Sequence, residues 1–217
     1  MDPSYRFLKC KDAPVTLQLP PAPQFGAPLS PAASPDVLRF LATRRSASAV
    51  TLAAPAPSPD EIDDLLRLAT HVPDHGKLAP WRFVLLRDAA KARFVGKLDD
   101  LAIARGDPKD QAKLAKLRTP PLAIAVISTP RAGSIPVWEQ QLSAGAVCTT
   151  LLYAALAMGY GANWITDWYS YDAAATALLG RGEGEQVAGF LLIGTAREAP
   201  LERERPNVAA LVSSWDG

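Results

Sequence analysis

The sequence predicts an α+β domain in which a central mixed sheet is flanked by helices. Three segments of strand length, at residues 81–88, 120–129 and 185–196, are rich in apolar side chains. Helical patterns occupy much of the chain between and around them. Because these helices and strands do not alternate in a regular βαβ period, the pattern favours an α+β arrangement.

Capping signals mark the first two helices. The first should begin at Ser34 or Asp36, either of which can cap it, and should end in basic residues, which suit the negative end of the helix dipole. The second should begin at Ser58, which forms a capping box with Glu61 three residues later. It should end near His71, because Pro73 disfavours helical geometry at the residue before it.

Residues 140–166 contain no charged side chain, and the segment is long enough to cross a bilayer. Its serines, threonines and glycines and its many alanines are instead typical of a helix buried in a core or in a subunit interface. We therefore expect a long helix at about 137–158 and no membrane span. A charged helical stretch at 89–117, broken at 106–108, precedes it.

Composition excludes several classes of protein. The chain has 23 Lys and Arg residues against 22 Asp and Glu, so its net charge of +1 creates no global attraction to nucleic acid. Cys10 and Cys148 lie far apart and form no CxxC pair, which argues against a disulfide-built secreted fold. Charges and prolines replace the apolar stretch of a signal peptide in residues 1–20, so we expect a cytoplasmic protein.

Proline content divides the chain into two parts. Eight of the twenty prolines fall in residues 1–35, which excludes a long helix or a central strand there. We therefore expect a proline-rich arm at 1–35 and a single globular domain at 36–217.

Both histidines lie in the segment HVPDHGKLAPW at 71–81. An HxxxH pair on a helix can bind zinc, but Pro73 interrupts this helix and no third ligand accompanies His71 and His75. We expect no metal site. From the residues alone, two loop histidines at the surface remain an alternative to a binding role.

Arg44, Arg45 and Ser46 offer two guanidinium groups and a hydroxyl at the end of the first helix, with Ser48 close behind. This chemistry suits a phosphate dianion, because arginine presents paired hydrogen-bond donors. A surface arginine pair held by the helix dipole remains the alternative.

The sequence contains no motif for a nucleophile or for a phosphate-binding loop. The glycines of GRGEGE at 180–185 are accompanied by glutamates that would repel a pyrophosphate, and no GxSxG motif is present. We therefore assign no catalytic residue. A protein with an anion site and no evident nucleophile usually takes its chemistry from a cofactor.

Five segments in register resemble the flavin-dependent nitroreductase family, and most closely its short YdjA-type subgroup. The segments are RRSAS at 44–48, PAPSPDEIDDLLRLATHVPDHGKLAPWRFVLL at 55–86, WEQQLSAGAV at 138–147, GYGANWIT at 159–166 and FLLIGT at 190–195. The resemblance implies an obligate homodimer with one FMN in each of two interface pockets. It also implies that the helix at 137–158 lies between the subunits.

The resemblance implies an oxidoreductase with NAD(P)H and a small-molecule electron acceptor, such as a nitroaromatic or a quinone, as its substrates. Hydride would pass from NAD(P)H to FMN and then to the acceptor in a ping-pong reaction. A flavin- or nucleotide-binding sensor or carrier with little turnover is the alternative on the same fold. The resemblance gives the arm at 1–35 no counterpart, and we expect it to pack on the dimer and restrict the pocket mouth.

The same resemblance assigns the FMN-binding residues by position. Those expected to contact the phosphate and ribityl chain are Arg44, Arg45, Ser46 and Arg205, with Arg203 as a second candidate. Those expected beside the isoalloxazine ring are Trp164, Ile165 and Thr166. His71 and His75 should line the pocket from the other subunit. Asp167 would then place a carboxylate near the flavin.

Overall fold

The computed structural model describes residues 19–215 and residue 217. The first half of the expected arm, including Cys10, therefore lies outside the described residues. The helices are α1 (Pro35–Thr43), α2 (Pro59–Ala69), α3 (Asp88–Arg105), α4 (Pro108–Lys113), α5 (Ala115–Arg118), α6 (Val137–Ala157) and α7 (Ala173–Ala177), and the strands are β1 (Leu52–Ala53), β2 (Trp81–Arg87), β3 (Leu122–Ser128), β4 (Gly161–Ile165) and β5 (Gln186–Ala196).

The predicted helix starts are confirmed. The Ser34 side chain accepts a hydrogen bond from the backbone of α1, and Ser58 and Glu61 form the capping box of α2. The helix ends come earlier than predicted. Because Arg44 adopts an extended conformation, α1 ends at Thr43, and α2 ends two residues before His71.

Strand β5 lies at the centre of the sheet. It pairs with β1, β3 and β4, and β2 pairs with the other edge of β3. The α+β class is confirmed, but the pairings between the described strands are all antiparallel, whereas the sequence led us to expect a mixed sheet. The apolar periodicity of a strand indicates which residues face the core but not whether neighbouring strands run parallel or antiparallel. Strand direction depends on the segments that connect the strands.

The core lies on both faces of the sheet, as predicted. Every residue of β3 is buried. Alternate residues from Ala123 to Ile127 join a cluster with α3 and α5, and those from Leu122 to Val126 join a second cluster with α2 and α6. This alternation is what a strand covered on both sides requires.

Helix α6 buries one side and leaves apolar side chains on the other. Val147, Cys148 and Leu151 are fully buried, whereas Trp138 is 67% exposed and Leu142 is 54% exposed. Among the residues that the structure describes, no helix is long and apolar enough to cross a membrane.

Candidate anion-binding site

A cleft of about 530 Å³ lies where three separate segments meet. The segment after α1, strand β4 and the segment after β5 form its walls. Its lining residues are Arg44, Arg45, Ser46, Ala47, Ser48, Asn163, Trp164, Pro200, Leu201, Arg203 and Arg205. The volume falls within the range of about 300–1,000 Å³ that is typical of ligand pockets.

Hydrogen bonds to β4 hold the segment after α1 in place. The Ala47 N–H donates to the carbonyl of Ala162 at 3.0 Å, and the Asn163 side-chain amide donates to the carbonyl of Ala47. The segment therefore lies against β4. This contact brings Arg44 and Ser46, which are distant in sequence from Trp164, to the same cleft.

The Arg44 guanidinium is half-buried and lacks an anionic partner in the part of the chain that the structure describes. Its Nη2 donates to the Ser46 hydroxyl at 3.2 Å, and its Cζ lies 5.3 Å from the centre of the Tyr153 ring. The buried Nε has no hydrogen-bond partner among the described residues. A buried donor left unsatisfied costs about 1–3 kcal/mol, so the described residues leave the Arg44 guanidinium incompletely satisfied.

One arginine contact joins the segment after β5 to the segment after α1, and another pairs two residues within the segment after β5. Arg45 Nε donates to the Leu201 carbonyl at 3.0 Å. Arg205 donates to both carboxylate oxygens of Glu202, at 3.0 and 3.3 Å. The Glu202 pKa is lowered, chiefly by the hydrogen bond from the Arg203 N–H and then by the Arg205 side chain, with a further contribution from Arg45.

Positive charge exceeds negative charge in this cleft. Four arginines line it, and the carboxylate of Glu202 is paired with one of them, Arg205. Guanidinium groups donate in a planar fork that matches phosphate and carboxylate oxygens. The donor set therefore suits an anion with several acceptor oxygens.

Trp164 forms the apolar side of the cleft. Its indole Nε1 donates to the Ala188 carbonyl at 3.2 Å. The ring lies directly over Gly189, where φ is +157° and where an added Cβ would collide with the indole. A shift in register between Val126 and Ile127 places Ala188 in a bulge opposite β3. Glycine at 189 therefore permits the close approach that fixes the indole at the cleft.

The other residues assigned to the flavin ring lie outside this cleft. Ile165 packs against the cluster that includes α3, and the exposed Thr166 hydroxyl accepts a hydrogen bond from the Tyr171 hydroxyl at 2.8 Å. His71 and His75 are exposed, and His75 Nδ1 lies 2.7 Å from a carboxylate oxygen of Glu139. Their expected pocket involves a second subunit, so their role stays a prediction.

The Asp167 carboxylate lies outside the cleft, and its expected place near the flavin stays a prediction. Its carboxylate accepts a hydrogen bond from the Trp168 N–H and lies within 4 Å of Lys113 and Lys116, at 3.7 and 3.5 Å. It caps the turn that follows β4 and does not line the cleft.

The sequence reasoning missed Asn163 and Leu201 as cleft residues. Asn163 had a visible signal, because an amide inside an apolar strand needs a hydrogen-bond partner. The Leu201 backbone carbonyl accepts a hydrogen bond from Arg45, and no sequence pattern predicts such a contact.

Burial raises the pKa of the Cys148 thiol to about 12, so this cysteine is a weak nucleophile, as its place inside α6 suggested.

Comparison with known proteins identifies the family of this chain. A model described as "Nitroreductase family" matches residues 41–195. The Escherichia coli K12 protein named "Putative NAD(P)H nitroreductase YdjA" is 34% identical over 163 residues, which cover 74% of this chain and 88% of that protein. A Haemophilus influenzae protein named "Putative NAD(P)H nitroreductase" is 33% identical over 178 residues, which cover 78% of this chain and 92% of that protein.

Solved structures share the fold at lower sequence identity. A nitroreductase-like family protein from Bacillus cereus matches with a TM-score of 0.72 and 21% identity, covering 87% of this chain and 100% of that chain. A nitroreductase with bound FMN from Bacteroides fragilis matches with a TM-score of 0.64 and 19% identity, covering 84% and 100%. The resemblance inferred from the five segments is confirmed, and the chain belongs to the nitroreductase family.

Proposed function

We propose that the protein is an FMN-dependent NAD(P)H oxidoreductase that reduces a small-molecule acceptor such as a nitroaromatic or a quinone. The observation that carries this proposal is the arginine-rich cleft beside Trp164, in which Arg44 lacks an anionic partner among the described residues. Family membership supports an oxidoreductase, and the flavin is suggested by an FMN-bound relative of the same fold.

The residues present fit the phosphate of FMN. Arg44 and Arg45 offer guanidinium donors, and Ser46 adds a hydroxyl that already accepts from Arg44. Arg205 and Arg203 approach from the segment after β5, which is held to Arg45 through Leu201. A phosphate dianion would accept hydrogen bonds from the guanidinium groups that line the cleft and would balance the excess positive charge.

The other end of the cleft fits an aromatic ring system. The Trp164 indole is held by Ala188 and Gly189 and gives the cleft a flat apolar wall beside the arginines. Bound FMN would supply the chemistry, namely hydride acceptance from NAD(P)H and hydride donation to the acceptor. The chain itself would bind the phosphate, orient the ring and exclude water from it.

A homodimer is part of this proposal. Helix α1 has no buried residue, although Val37, Leu38 and Leu41 are apolar, and α6 exposes Trp138 and Leu142. Large apolar side chains exposed on two helices are the kind of surface that a subunit interface covers. His75 contacts Glu139 in the first turn of α6, next to Trp138, so it lies where a second subunit would be near. We propose that His71 and His75 complete the partner's flavin pocket.

An absorbance spectrum of the purified protein, with FMN added where it is colourless, tests the proposal. Anaerobic NADH and then NADPH should bleach the bound flavin, and re-oxidation by a quinone should complete one turnover. A protein that binds no flavin would overturn the proposal. Flavin that binds but is never bleached by either nucleotide would instead support the sensor or carrier alternative.

A further inference from the structure

Tyr153 of α6 packs against a residue of α1 and against an arginine of the anion-binding cleft. One face of its ring is 5.3 Å from the Cζ of Arg44. Phe40 of α1 makes an edge-to-face contact with the same ring, with centroids 5.7 Å apart and an angle of 80° between the ring planes. The half-buried tyrosine therefore contacts both the helix and the arginine that follows it.

These contacts are significant because α1 is otherwise loosely attached. None of its residues is buried, and it ends at Thr43, immediately before Arg44. The backbone after Arg44 is held to β4 through Ala47, so the orientation of the Arg44 guanidinium within the cleft is left to contacts made by its own side chain. The contacts that the structure describes are the Ser46 hydroxyl and the Tyr153 ring.

An aromatic ring holds a guanidinium in a way that suits a ligand site. The negative face of the ring attracts the cation. It does not accept hydrogen bonds from the N–H groups that lie in the plane of the guanidinium. A carboxylate partner in the same place would occupy those donors and neutralise the charge. Tyr153 can therefore restrain Arg44 while leaving its donors and its charge available for an incoming anion.

We propose that Tyr153 is a positioning residue that acts through Arg44 and makes the cleft select a phosphorylated flavin over the same flavin without its phosphate. This inference rests on the proposed function and deepens it. FMN and riboflavin differ in the terminal phosphate alone. A residue that acts through Arg44 should change the affinity for FMN and leave the affinity for riboflavin unaltered.

The test compares dissociation constants for FMN and riboflavin in wild-type protein and in the variants Tyr153→Leu, Tyr153→Phe and Arg44→Ala. Tyr153→Leu should weaken FMN roughly fivefold or more, in keeping with loss of a partly buried cation–π contact, and should leave riboflavin unchanged. Tyr153→Phe keeps the ring face and should stay within about twofold of wild type. In the Arg44→Ala background, Tyr153→Leu should cause no additional loss.

Several outcomes would overturn the inference. Equal losses for FMN and riboflavin would show that Tyr153 supports the fold and not the anion. A full additional loss in the Arg44→Ala background would show that the tyrosine acts independently of Arg44. Should Tyr153→Leu fail to fold, a Tyr153→Phe protein with weakened FMN affinity would refute the role of the ring face. If the wild-type protein binds FMN and Tyr153→Leu leaves the FMN affinity unchanged, this inference alone is overturned. If the wild-type protein binds neither flavin, the proposed function is overturned as well.

Discussion

Arg45 Nε donates to the backbone carbonyl of Leu201 at 3.0 Å and so joins two residues that are 156 positions apart in the chain. The first belongs to the segment after α1, and the second follows the last strand. Together with the hydrogen bond from the Arg197 N–H to the Thr51 carbonyl, this contact holds the segment that carries Arg203 and Arg205 at the cleft. The anion site is therefore built from both ends of the domain and depends on tertiary structure.

Replacing Arg45 with alanine should release the segment after β5. A hydrogen bond from a charged donor is removed, so residues 200–205 should open more often and exchange their amide hydrogens faster. Hydrogen exchange measured by mass spectrometry checks this, with Arg87→Ala as a control arginine outside the cleft. Unchanged exchange in residues 200–205 would show that the Leu201 contact does not hold the segment.

Replacing Arg44 with alanine should weaken FMN binding by roughly tenfold or more. A hydrogen bond to a charged group contributes about 1.5–3 kcal/mol, and about 1.4 kcal/mol corresponds to a factor of ten in affinity. Quenching of flavin fluorescence on titration gives the dissociation constant. Arg87→Ala is again the matched control, and it should bind as wild type does. An Arg44→Ala protein with unaltered affinity would remove this residue from the proposed site.

The sequence predicted the helices and strands well because their signals are local. The capping box of Ser58 and Glu61 and the continuous burial of β3 follow from spacing and composition that a short window contains. Strand direction in the sheet and the ion-pair partners of Asp167 could not be predicted in this way. Both depend on how distant segments pack, and Asp167 is drawn to Lys113 and Lys116 of the helical segment before β3.

The candidate site was predictable in part for the same reason. Arg44, Arg45 and Ser46 are adjacent in sequence, so their shared chemistry is visible before folding. That Trp164 and Arg205 belong to the same cleft followed from family resemblance alone. The backbone carbonyl of Leu201 and the ring of Tyr153 carry no signal in the sequence, because any residue supplies a carbonyl and an aromatic residue in a helix usually packs in a core.

Replacing Gly189 with alanine should destabilise the domain. The added methyl group would collide with the Trp164 indole at a position where φ is +157°. Overpacking of this kind costs about 1–3 kcal/mol. Urea denaturation should show the loss, and the double variant Gly189→Ala/Trp164→Ala should recover part of it, because removal of the indole removes the collision. Strictly additive losses would show that the two residues do not interact.

Asp110 should make the stability of the fold depend on acid pH. The hydrogen bond from Arg105 is the largest cause of its lowered pKa, and Lys113 adds to the effect. Because the pKa is lower in the folded state, the ionised carboxylate stabilises the protein above the unfolded value of about 4, and this contribution is lost as pH falls through the folded value. Asp110→Asn should therefore be less stable than wild type near neutral pH.

The difference between wild type and Asp110→Asn should shrink as the pH is lowered below about 4. Urea denaturation at several pH values measures it. Asp63→Asn, on the exposed side of α2, serves as the control for replacing a carboxylate with an amide. A difference that stays constant at all acid pH values would show that the charge of Asp110 contributes nothing and that the amide is disfavoured for its geometry.

Replacing Leu142 with glutamate should break the proposed homodimer. Leu142 is 54% exposed on α6, one turn from Trp138, and a charge buried in an apolar interface is costly. Sedimentation or light scattering should show a dimer for wild type and a monomer for the variant. Ile103→Glu changes an apolar residue that is 63% exposed on α3 and should leave the mass unaltered. Because His71 and His75 are proposed to complete the partner's pocket, the monomer should also bind FMN more weakly, and a monomer with full affinity would place the whole flavin site within one chain.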